Sequence, residues 1–137
     1  MSHCRVLVLA VIVAALAFSS SVAAQAPVDY DTLMQQQDRV AIRRQFAQLS
    51  PENKAVIMRT QVERWIDANR ARLSPAQLQV MQEMAAVVSP DLYSPNRTEV
   101  MLARVQELEK RAISLLGKED VGRAATLEMA VYIPKAQ

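Results

Sequence analysis

A short phrase that starts helices occurs twice in this chain, and it constrains the reading of everything around it. Leu49-Ser50-Pro51 and Leu73-Ser74-Pro75 each open an apolar run at helical spacing. Serine at an N-cap accepts a hydrogen bond from a free N–H of the first turn. Proline at the next position forfeits nothing, because its missing N–H has no intrahelical partner there. The second copy is the fuller one: Ser74 and Gln77 have capping-box spacing, and Leu73 with Leu78 that of a hydrophobic staple. The first copy carries Asn53 and Lys54 at those places. A third Ser-Pro, Ser89-Pro90, closes the block, since the residue before a proline avoids the helical region. Residues 46–93 therefore predict a central antiparallel helical hairpin, with helices over about 51–68 and 75–88 and a turn at 69–72.

Periodicity fills in the helices. Ala55, Met58, Val62, Trp65, Ile66 and Asn69 fall on one face of the first hairpin helix. Trp65, the only tryptophan, reads as a core anchor. Arg59, Glu63, Asp67 and Arg70 follow at steps of four and three, the spacing of an ion-pair ladder. In the second hairpin helix Leu78, Met81, Ala85 and Val88 share a face, with Met84 and Val87 beside it. Before the hairpin, Asp29 or Asp31 caps a helix expected to reach Gln48, interrupted by the wholly polar run Gln35 to Asp38. After it, Asn96 with Glu99 caps a helix along Met101 or Leu102, Val105, Leu108, Ala112 and Leu115, ended by Gly117. A last helix is expected from Glu119 to about Tyr132, with Pro134 as its stop. Two glycines in the chain and the lack of a strand pattern argue against a turn-rich β fold.

Residues 1–24 are expected to lie outside the fold. Arg5 gives a positive start, Val6 to Phe18 is an unbroken apolar run, and Val22-Ala23-Ala24 suits signal peptidase. This is the pattern of a secretory signal peptide, and the run is short for a membrane span of roughly 20 residues. Retention as an anchor is the alternative reading of the same segment. Cys4 and His3, the only cysteine and the only histidine, depart with it. Residues 25–137 then form a single domain, without the disulfides that many small exported domains rely on.

That loss excludes most catalytic chemistry. Without histidine or cysteine there is no Ser-His or Cys-His pair and almost no route to zinc. No glycine-rich loop cradles a phosphate, and no calcium loop is present in the sequence. The expectation is no enzyme, no cofactor and no metal. A helical pocket lined by Arg and Glu, as in chorismate mutases, is the remote enzymatic alternative.

Charge is uneven. Arg39 to Arg72 holds eight bases against Glu52, Glu63 and Asp67. Such a face suits an anionic partner, an acidic protein or an envelope surface, and Arg59, Arg64, Arg70 and Arg72 are its candidate contact residues. A solvated helix face explains the same run. Nothing points to nucleic acid, and no stretch beyond the leader is apolar enough to cross a bilayer. Six methionines outside the leader suit either core filling or a surface that accepts varied apolar partners.

Two families resemble the 46–93 block. Phe46-Ala47-Gln48-Leu49-Ser50-Pro51, Trp65, Leu73-Ser74-Pro75-Ala76-Gln77 and Pro90-Asp91-Leu92-Tyr93 resemble, in order, the central pattern of the small exported proteins called bacteriocin fulvocin C-related. That resemblance implies an exported helical protein of unassigned molecular activity. The peptide that names the family is cysteine-rich, and residues 25–137 depart from it in having none. Leu73-Ser74-Pro75-Ala76-Gln77 is also similar to the motif of the periplasmic LTxxQ chaperones, which are all-helical and often dimeric. The combined expectation is an all-α protein of four or five helices in a small bundle, exported to the periplasm or beyond. Its expected role is binding, with an LTxxQ-like envelope-stress chaperone as the alternative. Exposed methionines on a concave basic surface would favour the chaperone.

Overall fold

The structure is a computed structural model, and it describes residues 26–137. The expected signal peptide, 1–24, lies outside the described residues. Those described are all-helical: α1 (Tyr30–Met34), α2 (Arg39–Ala47), α3 (Pro51–Asn69), α4 (Pro75–Val87), α5 (Glu99–Leu116) and α6 (Lys118–Ala125). Short 3-10 turns at Arg70–Arg72 and Pro90–Tyr93 flank α4. Among the described residues no helix is long and apolar enough to cross a membrane.

The repeated phrase starts helices as its chemistry requires. Ser50 Oγ accepts from Asn53 N at 3.1 Å. Ser74 Oγ accepts from Gln77 N at 3.2 Å, and Gln77 Oε1 accepts from Ser74 N at 2.9 Å, which completes the capping box. Gln77 also donates from Nε2 to the Leu115 carbonyl at 2.9 Å, so the same side chain ties α4 to the end of α5.

The helix expected from Asp29 or Asp31 to Gln48 is two helices, which is why six are found where four or five were expected. Asp29 caps α1 through Thr32 N, as expected. The chain then leaves helical geometry in the polar run, and Asp38 restarts it by accepting from Val40 N at 2.9 Å. A stretch with no apolar side to bury gains nothing from tertiary packing, and an aspartate cap is the cheaper local solution. Further on, Thr98 rather than Asn96 caps α5, accepting from Met101 N at 3.2 Å. Gly117 ends that helix with φ +92° and ψ 157°, backbone that only glycine adopts without strain, and α6 begins at the next residue.

The last helix stops at Ala125, well short of Tyr132. After Thr126 the chain turns back across α6, and the Met129 side chain lies against Gly122, where a Cβ would overlap its thioether. Leu127, Ala130 and Tyr132 then pack against α1. Burying these three apolar groups outweighs two more turns of exposed helix, since tertiary packing decides most helical stability.

Three apolar clusters meet on α3. Val62, Trp65 and Ile66 join Val80, Met81, Met84 and Ala85 of α4 with Leu108, Ala112, Val121 and Ala124. Ile57 joins Tyr30, Leu33, Met34 and Ile42. Ala55 and Met58 join Val88, bordered by Phe46, Tyr93 and Leu127. On α5 the inward line is Val105, Leu108 and Ala112; of the two alternatives at its start Met101 is half-buried and Leu102 exposed, and Leu115 is exposed against expectation. At the start of that helix Val100 is 79% exposed, clear of the core.

Two buried amides tie Val28, Tyr30 and Arg123 to α3. Asn53 holds the Val28 backbone, its Oδ1 accepting from N at 2.8 Å and its Nδ2 donating to O at 2.7 Å. Gln61 is fully buried. It accepts from the Tyr30 hydroxyl and donates to the Arg123 carbonyl at 2.9 Å. Every buried side-chain polar atom among the described residues has a partner, as a stable interior requires.

Candidate functional site

Charge singled out four arginines, and the fold gives each an intramolecular partner. Arg64 forks onto Asp31, Nη1 to Oδ1 at 2.6 Å and Nη2 to Oδ2 at 3.0 Å, and also donates to the Ile133 carbonyl at 2.9 Å. Its guanidinium lies 4.7 Å from the Tyr30 ring centroid. The Tyr132 hydroxyl donates to the same Asp31 at 3.0 Å, and the Tyr30 and Tyr132 rings stack at 6.2 Å. Arg64 holds the Asp31 carboxyl below its usual range, chiefly through this bidentate hydrogen bond. Arg64 is therefore a structural clasp that joins α1, α3 and the C-terminal tail.

Of the other three, Arg59 is half-buried and Arg70 and Arg72 are exposed. Arg59 donates to the Val88 carbonyl. Arg70 pairs with Asp67 at 3.2 Å, the one rung of the expected ladder that forms. Arg72 pairs with Asp120 at 3.2 Å and lies 5.4 Å from the Trp65 ring centroid. Arg59 and Arg70 border one shallow open depression between α3 and α4, with Glu63 and Asp67 on the same floor. Arg64 lines another, beside the tail. The four do not converge on one concavity.

The enclosed apolar concavity lies elsewhere. A cleft of about 130 Å³ opens between four helices and a turn. From α3 come Met58 and Val62; from α4 and its cap come Met84, Val87 and Val88. The Pro90–Tyr93 turn adds Leu92 and Tyr93, and α5 adds Val105 and Leu108. Val121 and Ala125 of α6 complete the apolar wall. Three polar groups also border it: Tyr93, Glu109 and Thr126.

The local sequence explains this arrangement. Ser89-Pro90 cannot continue α4, so the chain bends into a 3-10 turn that lays Tyr93 edge-on against Phe46, with ring centroids 6.0 Å apart at 85°. This T-shaped contact fixes the ring. Burial raises the Tyr93 hydroxyl above its usual range, and it is neutral at physiological pH. It is then both a donor and an acceptor beside an apolar space.

Sequence reasoning found the inward residues of this cleft but not the cleft. Met58, Met84, Val87, Val88, Val105 and Leu108 were all expected to face the core. What opened the space between them is the tight 3-10 turn, and the signal for it was the Ser89-Pro90 stop followed by Leu92-Tyr93. Met34, Met58, Met81 and Met84 are buried, Met101 is half-buried and Met129 is exposed. Among the described residues no group of three or more His, Cys, Asp or Glu is placed to hold a metal ion.

No protein-family model, curated protein or solved structure matches this chain.

Proposed function

We propose that this chain is an exported, non-catalytic binding protein that receives a small apolar group in the cleft between α3, α4, α5 and α6. In plan it is a small helical bundle built on the α3–α4 hairpin, of the fulvocin C-related type. The observation that carries the reading is the cleft itself: an apolar wall from four helices with a few polar groups beside it, the usual form of a small-ligand site. Its size supports one ring or a short acyl segment, since a cavity of ~150 Å³ accepts benzene. The burial of four methionines favours this reading over the chaperone, which calls for those side chains on a surface.

The test uses protein purified from cells that express the full chain. Titration with 2-phenylethanol, followed by methionine-methyl NMR, is expected to give saturable shifts at Met58 and Met84. Met34, buried in another cluster, serves as the internal control and is expected not to move. Val105→Phe and Val87→Phe, each filling the cleft, are expected to weaken binding. Shifts spread evenly over all methionines, or none, would overturn the proposal. N-terminal sequencing of the exported product is expected to begin at residue 25.

A further inference from the structure

The cleft has one charged group on its border, and it is negative. Glu109 sits on α5, one residue after the buried Leu108. The neighbouring carboxylates are taken: Glu107 by Arg111 at 3.1 Å, and Glu83 by Arg111 at 2.9 Å. Glu109 makes no ion pair among the described residues. Tyr93 and Thr126 line the same cleft, and burial raises the Tyr93 hydroxyl above its usual range. An apolar space with one unpaired carboxylate and two hydroxyl-bearing residues at its edge complements a particular kind of molecule. The molecule has an apolar body and a single positive, hydrogen-donating head.

We propose that the cleft selects small aralkyl or alkyl amines, with the ammonium at Glu109 and the hydrocarbon among Met58, Met84 and Val105. The proposal rests on the reading of the cleft as a binding site. An ammonium carries three donors and no acceptor, which matches a carboxylate and two hydroxyl oxygens. The Met58 and Met84 thioethers of the lining suit a polarisable ring. An anionic head, by contrast, would meet the Glu109 charge at close range, and a large head has no space within about 130 Å³.

The experiment compares 2-phenylethylamine with 2-phenylethanol, two probes of one shape that differ in the charge of the head. Affinities are measured by calorimetry at pH 7 on the full chain as expressed, with Glu109→Gln alongside. The amine is expected to bind about 3- to 10-fold more tightly than the alcohol, the range of a partly solvated ion pair. Glu109→Gln is expected to abolish that preference. High salt should reduce the preference in the same way, because exposed charges are screened. Equal affinity for both probes, or a preference that survives Glu109→Gln, would overturn the amine assignment and leave the cleft as a neutral apolar site. Binding of neither probe would overturn both this assignment and the binding-site reading beneath it.

Discussion

Asn53 grips the backbone of Val28 at both its polar groups, at 2.8 and 2.7 Å. A side-chain amide here does what a neighbouring strand would do, pairing a donor and an acceptor of an extended segment. It fastens the lead-in to α1 onto the first turn of α3. Removing it leaves Val28 with two unmet groups in a half-buried place. Asn53→Ala should cost about 1 to 3 kcal/mol. Asn53→Asp should cost at least as much, because a carboxylate keeps the acceptor but faces the Val28 carbonyl with no donor. Hydrogen exchange is the measurement: the Val28 amide should lose protection in Asn53→Ala, and an unchanged rate there would show that the grip is idle.

The Asp31–Arg64 clasp should make stability fall in acid. Asp31 is held below its usual range in the folded state, so the unfolded chain takes up the proton first as pH falls. The clasp's stabilisation is then complete above the ordinary aspartate value of 3.8 and is lost as pH drops through the lower, folded value. Asp29 is lowered as well, chiefly by the Thr32 backbone N–H, and adds to the same acid limb. Urea midpoints should show Asp31→Asn less stable than the parent at pH 7, with the gap closing below about pH 4. A gap independent of pH would mean that the pair is not what Asp31 contributes.

The two helix starts should differ in their response to the same change. Ser50→Ala removes one capping bond, for about 1 kcal/mol. Ser74→Ala breaks a reciprocal box and loosens Gln77, whose other end holds the Leu115 carbonyl. Its cost should approach about 2 kcal/mol. Thermal denaturation of the two variants side by side decides the order.

Gly122 and Met129 should be coupled. An alanine at 122 favours helix by up to about 1 kcal/mol, yet its methyl would occupy the place of the Met129 thioether. Gly122→Ala alone should therefore gain little or lose stability. Combined with Met129→Ala, the pair should cost less than the sum of the single changes. Strict additivity in a double-mutant cycle would remove the contact as a reason for the early end of α6.

Several of these features were legible from residues alone, for reasons that are local. Leu-Ser-Pro starts both hairpin helices from local chemistry, because the capping bond spans three residues and needs no distant partner. Asp29, Ser50 and Ser74 each cap through a bond of that span. Asn53 shows where local reasoning falls short: it looked like a degraded capping-box residue, whereas its side chain is diverted to Val28, 25 positions earlier. Arg64 shows the same thing for charge. Composition placed it in a basic face with Arg59, Arg70 and Arg72, but Asp31 and the Ile133 carbonyl reach it from opposite ends of the chain. The early stop of α6 depended on Tyr132 and Ala130 finding α1, which no window around Glu119 contains.

The sequence by itself settled the helical class, the two proline-led starts and the part of the inward face of α3 that runs through Ala55, Met58, Val62, Trp65 and Ile66, without Ile57 and Gln61. All three follow from bond geometry and the side-chain period within a few turns. Only the tertiary structure decided which arginines are engaged, where the tail leaves α6, and that Met58, Tyr93 and Glu109 border one cleft. Those outcomes depend on which distant groups desolvate together, and that free energy exists only once the elements have packed.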